Sequence, residues 1–199
     1  MRTVMVTGGL ASGKSTLVGL LCSHGAASLD LDEIAHALLA DDADYVGELA
    51  ERFGSGILDS DGVVVPSRLA RRAFATPEDA ADLDAIALPR ITARAASCIY
   101  DACCTPTSDA GVLVVEVALL ERADELRGLA DEVIAVSVSP ELRLRRAIAR
   151  GMDPDDAVRR IRAQATDAAR EQIADTVCKN DGTQEELVEW ADAWWERQR

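Results

Sequence analysis

A glycine-rich run near the N-terminus, GGLASGKS at positions 8–15, constrains the fold of this chain more than any other feature. It matches G-x-x-x-x-G-K-[ST], the pattern of a loop whose backbone N–H groups hold phosphate. A β-rich segment at residues 2–7 precedes the run, and residues 14–23 have leucines at helical spacing. This order lets the N-terminus of a helix face the phosphate. The sequence therefore predicts a polyphosphate site at the first strand-to-helix turn.

Strands alternate with helices along the rest of the chain. Further strands are predicted at residues 26–31, 112–117, 132–138 and 176–178. The runs VLVVEV and EVIAVSV are typical of parallel strands that are covered on both faces. We therefore predict an α/β fold with a doubly wound parallel sheet of about five strands.

The 199 residues are expected to form a single domain. Its core is predicted in residues 1–34, 111–142 and 172–199. Residues from about 35 to 110 contain little strand and are expected to form a helical lobe. Residues from about 143 to 171 are expected to form an arginine-rich lid region.

Several helix boundaries carry local signals. A long helix is predicted to begin after Thr76, and Pro89 is expected to kink or divide it. Ser139 is predicted to cap the helix that follows the 132–138 strand. Thr183 and Glu186 have the spacing of a capping box and are predicted to open the last helix.

Composition excludes several classes of partner. The net charge of −14 repels nucleic acid, and three Trp, two Tyr and two Phe offer few surfaces on which bases could stack. No stretch approaches the ~18 apolar residues of a membrane helix, and no signal peptide is evident, so a cytoplasmic location is expected. The five cysteines are predicted to be reduced. Cys103 and Cys104 are expected to be buried apolar residues, with a redox pair as the alternative.

The loop residues are the predicted nucleotide ligands. Only two of the 21 basic residues are lysines, and one of them, Lys14, stands at the position that would hold the β- and γ-phosphates of ATP. The Ser15 hydroxyl is expected to bind Mg²⁺, and Glu116 is either a further Mg²⁺ ligand or a structural carboxylate. The predicted ATP-binding residues of the loop are Gly8, Gly9, Ala11, Ser12, Gly13, Lys14, Ser15 and Thr16.

Two carboxylates follow the second predicted strand. In a parallel α/β sheet, the carboxyl ends of the strands face the ligand crevice. Asp32, predicted to be the last residue before the next helix, is the candidate that takes or orients the proton of an acceptor hydroxyl. Asp30 is the lesser candidate. The alternative for Asp32 is a helix N-cap.

Residues 143–170 contain eight Arg and four Asp, a positive segment in an acidic chain. On a helix, Arg143, Arg146 and Arg150 share one face. Arg146 and Arg150 are predicted to be catalytic, because guanidinium groups closing over ATP would neutralise charge on the transferring phosphoryl group. The alternative is a solvated helix face.

These motifs resemble the dephospho-coenzyme A kinase family. The resemblance covers essentially the whole chain and rests on the following segments: TGGLASGKST from Thr7, DLDEIA from Asp30, SPELRLRR from Ser139, RIRAQ from Arg160 and ADTVCKNDG from Ala174. It implies a P-loop kinase that transfers the γ-phosphate of ATP to the ribose 3′-hydroxyl of dephospho-coenzyme A, the last step of coenzyme A synthesis. It also implies that Asp32 is the base, that Asn180 approaches the adenine of ATP, and that the helical lobe binds the acceptor.

The sequence departs from the family pattern on the acceptor side. Pro66 replaces a usual Arg, for which Arg68 or Arg71 is expected to substitute. The other departures are at His36, Leu88, Ala118 and Arg122. Two alternatives stay open: a P-loop kinase for another small hydroxyl acceptor (a nucleoside, nucleotide or sugar acid), and a non-catalytic ATP-binding relative. The expected assembly is a monomer or small homo-oligomer.

Overall fold

The computed structural model describes residues 1–104, 110–118, 120 and 123–198. Five strands form one sheet in the order β2-β3-β1-β4-β5, and every neighbouring pair is parallel. The strands are β1 (Arg2–Gly8), β2 (Ala27–Asp30), β3 (Val112–Val117), β4 (Glu132–Ser137) and β5 (Thr176–Lys179). The predicted α/β fold with a parallel sheet of about five strands is confirmed.

Helices connect the strands. They are α1 (Lys14–Ser23), α2 (Leu31–Asp41), α3 (Ala43–Phe53), α4 (Pro66–Ala73), α5 (Pro77–Cys104), α6 (Asp124–Arg127), α7 (Pro140–Ala149), α8 (Pro154–Ala163), α9 (Asp167–Ile173) and α10 (Gln184–Glu196). A short 3-10 helix, Ser55–Ile57, follows α3. Within the described ranges, no helix is long and apolar enough to cross a membrane.

The chain divides into two compact units, residues 31–98 and residues 1–30 with 99–199. The larger unit contains the sheet. Its core is built from the apolar faces of the central strands and from α1 and α10, with Val4, Leu17, Ile134 and Trp194 fully or almost fully buried. The three central strands are almost wholly buried, as the continuous apolar runs predict.

The smaller unit is helical. Tyr45, Leu49 and Phe53 follow helical spacing on α3 and form a separate core with Ile57 and with residues of α4 and α5. Around this core, Arg52 pairs with Asp79 and Asp82, and Arg90 pairs with Glu48. The single-domain organisation stays a prediction.

Two local expectations are wrong, and one is wrong in part. Pro89 does not divide α5, which is continuous from Pro77 to Cys104, whereas the alternative that it kinks the helix stays a prediction. Ser139 stands at the N-cap position of α7, but its side chain makes no capping bond, and its N–H donates to Asp181 instead. Cys103 and Cys104 are exposed free thiols near the end of α5. The capping box of α10 is confirmed.

Candidate active site

The predicted phosphate loop joins β1 to α1 in a tight turn. Ala11 and Gly13 have positive φ angles of 57° and 98°. A Cβ atom at Gly13 would also overlap the Asn180 amide, so glycine is required there for two reasons. The first N–H groups of α1 have no acceptor within the helix, and no acidic residue occupies its first turn. The loop therefore presents backbone N–H donors at the carboxyl edge of the sheet.

Two hydroxyl groups fit an anionic ligand, one near the end of β1 and one within the turn. Thr7 Oγ1 and Ser12 Oγ have no hydrogen-bond partner among the described residues, and both side chains are buried. Burying a hydroxyl without a partner destabilises a folded chain by about 1–3 kcal/mol. A bound phosphate would offer acceptor oxygens to a pair of donors that the protein leaves unused.

Lys14, Ser15 and Glu116 meet beside the loop. The Ser15 hydroxyl donates to Glu116 Oε1 at 2.8 Å, and Lys14 Nζ lies 4.0 Å from the same oxygen. Pairing of Glu116 in β3 with Val6 in β1 places this carboxylate next to the strand that ends in the loop. Within the described ranges, no three Asp, Glu, His or Cys side chains form a metal cluster. One hydroxyl and one carboxylate nevertheless suit Mg²⁺, which usually keeps several waters and binds phosphate oxygens.

A cavity of about 260 Å³ lies against the start of α1. Arg146 and Arg150 from the C-terminal end of α7 line it together with Gly13, Thr16 and Asn180. Thr183, Gln184 and Leu187 at the start of α10 complete the lining. The structure thus brings five of the predicted site residues into one cavity.

Asn180 connects the loop to the segment after β5. Its side chain is buried, and Nδ2 donates to the carbonyl of Ser12 at 2.8 Å. Its own N–H donates to the carbonyl of Ser137, which continues the β4–β5 pairing by one residue. The side chain of Asn180 therefore has a fixed place at the base of the cavity.

Arg143 shares a predicted helix face with Arg146 and Arg150, but unlike them it does not line the cavity. Its side chain is only 3% exposed and turns toward the loop, where Nε donates to the carbonyl of Leu10 at 3.0 Å. Burial lowers the pKa of the guanidinium group, and the nearby Asp167 partly opposes this. No pattern in the sequence indicates this contact, because helical spacing does not tell which residue of a face is buried.

Asp32 and Asp30 lie on different elements. Asp30 is the last residue of β2, whereas Asp32 is exposed in the first turn of α2, because this helix begins two residues earlier than predicted. Asp32 belongs to the unit of residues 31–98, and its role in catalysis stays a prediction. Of the acceptor-side departures, Pro66 opens α4, Leu88 lies within α5, Ala118 follows β3, and Arg122 lies outside the described residues.

Fold and site together define a P-loop kinase. The phosphate loop follows the first strand of a parallel sheet, a hydroxyl and carboxylate pair suited to Mg²⁺ stands beside it, and two arginines line the adjoining cavity. The family model for dephospho-CoA kinase matches residues 2–186. The chain belongs to the dephospho-CoA kinase family and is a kinase.

Similar proteins and structures agree with this assignment. A dephospho-CoA kinase of Corynebacterium jeikeium is 41% identical over 196 residues, which cover 98% of each chain. A crystal structure of a Thermus thermophilus protein has a TM-score of 0.77 and 27% identity, and the match covers 98% of this chain and 97% of that one. The dephospho-CoA kinase of Campylobacter jejuni shares the fold, with a TM-score of 0.71 and 21% identity over 99% of this chain and 97% of its own.

Proposed function

We propose that this chain transfers the γ-phosphate of ATP to the ribose 3′-hydroxyl of dephospho-coenzyme A, giving coenzyme A and ADP. The observation that carries the proposal is the cavity beside the phosphate loop, lined by Arg146, Arg150 and Asn180. It adjoins the loop on the side of Gly13 and Thr16 and is lined by groups of the kind that a nucleoside triphosphate needs.

The loop would hold the phosphates. Its N–H groups and the hydroxyl groups of Thr7 and Ser12 would donate to phosphate oxygens, and Lys14 would bridge the β- and γ-phosphates. Ser15 and Glu116 would hold Mg²⁺, which supplies charge neutralisation when it is bound.

The arginines of α7 would act on the transferring group. Arg146 and Arg150 lie at the C-terminal end of the helix and line the cavity. Phosphoryl transfer has a loose transition state, so catalysis depends mainly on positioning and on neutralising charge at the phosphoryl oxygens. Two guanidinium groups at this position provide five N–H donors each for those oxygens.

The base of the cavity would take the adenine. Asn180 has one amide hydrogen committed to Ser12, which leaves its other amide hydrogen and its oxygen for a ligand. Leu187 supplies an apolar surface at the start of α10. Asp32 is proposed to orient or accept the proton of the acceptor hydroxyl.

The test is a coupled assay of ADP release with dephospho-coenzyme A, set beside a panel of nucleosides, nucleotides and sugar acids. Turnover with dephospho-coenzyme A and with no other acceptor of the panel supports the proposal. Turnover with another acceptor would instead favour the alternative that the departures at Pro66 and Leu88 suggest. ATP binding without any phosphorylated product would favour a non-catalytic relative.

Two variants test the assigned roles. Lys14→Met is expected to abolish turnover, and Asp32→Asn is expected to lower kcat by about 10²-fold or more, as for loss of a general base. Near-normal turnover of Asp32→Asn would show that the base is another group. Cytoplasmic location and a monomer or small homo-oligomer stay predictions.

A further inference from the structure

Arg143 and Gln164 enclose the main chain of Leu10 from behind the phosphate loop. Arg143 Nε donates to the Leu10 carbonyl at 3.0 Å, and Gln164 Oε1 accepts from the Leu10 N–H at 2.8 Å. The ring closes because Arg143 Nη2 donates to the same Gln164 oxygen at 2.6 Å. Both polar main-chain groups of Leu10 are therefore held by two side chains that touch each other.

The guanidinium group is also held on its far side. Asp167 Oδ1 lies 3.4 Å from Arg143 Nη1, and its other oxygen accepts from the N–H of Val138, directly after β4. Arg143 is 3% exposed, and Ala147 of the same helix belongs to one buried apolar cluster with Ala11 of the loop. The side chain thus has acceptors on two sides and little room to move.

We call Arg143 with its partners Gln164 and Asp167 the clamp. Its position accounts for glycine at position 9. Unlike Gly13, Gly9 does not adopt a positive φ, so its backbone would accept other residues. A Cβ atom there would overlap the Arg143 guanidinium group. The next residue but one, Ala11, adopts a left-handed φ of 57°, a conformation that a side chain disfavours and that surrounding contacts must maintain.

We propose that Arg143 is a positioning residue that sets the conformation of loop residues 9–11 for phosphate binding, and that its guanidinium group is the reason for Gly9. A lysine cannot replace it, because only a guanidinium group donates from Nε and Nη2 in a fixed fork. The part concerning phosphate rests on the proposed function, whereas the steric part does not.

A double-mutant cycle tests the proposal. Gly9→Ala is made in the wild type and in Arg143→Ala, and the Tm without nucleotide and the Kd of Mg-ATP are measured for all four proteins. In the wild type, Gly9→Ala is expected to lower the Tm by roughly 3–10 °C and to weaken ATP binding about tenfold. In the Arg143→Ala background, Gly9→Ala should lower the Tm and weaken ATP binding much less than it does in the wild type. Equal costs in the two backgrounds would overturn the proposal.

Matched controls separate the clamp from general effects. Gly19→Ala lies in α1 with open space around it and should leave ATP binding unchanged. Arg145→Ala removes an exposed arginine of α7 and should also have no effect. Arg143→Lys should weaken ATP binding about as much as Arg143→Gln, while the KM for the acceptor stays constant. Wild-type affinity in the lysine variant would show that charge alone suffices and would contradict the positioning role.

If Arg143→Ala fails to fold, Arg143→Gln provides the second background of the cycle, because it also removes the fork. Gln164→Leu breaks the same ring from the other side and is expected to weaken ATP binding in the same direction. A wild-type protein that binds no ATP would contradict the proposed function. The Tm cycle would still decide whether Arg143 excludes a side chain at position 9.

Discussion

The contacts of Glu116 bear on whether this residue binds Mg²⁺. Its Oε1 atom accepts from the Ser15 hydroxyl and lies 4.0 Å from Lys14 Nζ. The same oxygen thus faces the proposed Mg²⁺ ligand Ser15 and the proposed phosphate ligand Lys14. The sequence pattern alone is compatible with either a Mg²⁺ ligand or a structural carboxylate at this position. Contact with Ser15 favours the ligand role, because the two groups that Mg²⁺ would need are adjacent before any ligand binds.

Glu116→Gln tests this role at little steric cost. The amide can still accept from Ser15 but lacks the negative charge that attracts Mg²⁺. We expect the Mg²⁺ concentration for half-maximal activity to rise about 10- to 100-fold, with a smaller change in the Tm. The matched control is Glu125→Gln, an exposed residue of α6. An unchanged Mg²⁺ dependence would assign Glu116 a purely structural role.

The site residues differ in how far the sequence could predict them. Positions 8–16 are local in sequence, so a single pattern predicts their loop and helix, and Gly13 bears this out with its positive φ. Arg143 has the same spacing and chemistry as Arg146, yet it is buried against Leu10. Burial depends on which elements pack against a helix, and that information lies more than a hundred residues away in the chain.

At the scale of elements, the buried parallel strands were predicted well because their apolar runs are continuous. β3 matches its predicted bounds, and β4 ends one residue early. The short helices α4 and α9 were missed, although Pro66 at the first turn of one and Thr166 capping the other are recognised signals. A helix of seven or eight residues contains only two turns, which is too few for hydrophobic periodicity to be read.

Helix α4 presents three arginines in different environments. Arg68 donates to the Leu58 carbonyl and Arg72 to the Phe53 carbonyl, whereas Arg71 is exposed and makes no such bond among the described residues. If an arginine of α4 substitutes for the one that Pro66 replaces, Arg71 has its guanidinium group available for an anionic acceptor.

Arg71→Ala is therefore expected to raise the KM for dephospho-coenzyme A about tenfold, as for loss of a charge-assisted hydrogen bond. The KM for ATP should stay the same. Arg68→Ala provides the contrast, since it removes a main-chain contact and should lower the Tm more than it changes either KM. Steady-state kinetics with each substrate varied in turn distinguish the two. An unchanged acceptor KM in Arg71→Ala would exclude this residue from the acceptor site.

Glu171 of helix α9 makes a contact with the sheet whose strength is expected to depend on pH. Glu171 accepts from Lys179 of β5 and from the Ser137 hydroxyl of β4, and these hydrogen bonds lower the pKa of its carboxyl group. Because the pKa is lower in the folded state, the contact stabilises the fold above the unfolded pKa of about 4.3. This contribution is lost as the pH falls through the folded-state pKa.

Glu171→Gln should consequently lower the Tm at pH 7 and have a progressively smaller effect as the pH falls below about 4. Thermal unfolding from pH 3 to pH 7 measures this difference. Glu189→Gln, an exposed residue of α10, should show no comparable pH dependence relative to the wild type. A Tm difference between wild type and Glu171→Gln that stays constant across the range would mean that the carboxylate charge is not what fastens α9.

At the scale of the whole molecule, the arginines of residues 143–170 lie in different environments. Arg143 and Arg170 are buried beside Asp167, and Arg159 and Arg160 pair with Asp156. Arg146 and Arg150 line the cavity. We therefore expect a chain with a net charge of −14 to attract a small polyphosphate through two guanidinium groups, Lys14 and a helix N-terminus, rather than through a broad basic surface.

Each proposed substrate is expected to bind residues of a different compact unit, so the two substrates should affect hydrogen exchange in different parts of the chain. The proposed ATP-binding residues lie in residues 1–30 and 99–199, and the acceptor residues are expected in the helical unit of residues 31–98. Hydrogen exchange with Mg-ATP alone should slow exchange in the phosphate loop, the first turn of α1 and the start of α10. The amides of α4 should be slowed only when dephospho-coenzyme A is added.

Lys14→Met provides the control for this experiment. It should remove the protection by Mg-ATP around the loop and leave the protection by the acceptor in place. Protection of both units by Mg-ATP alone, to the same extent, would contradict the division. It would mean that ATP binding orders residues 31–98 before the acceptor arrives, so that the two substrates would be expected to bind in a fixed order.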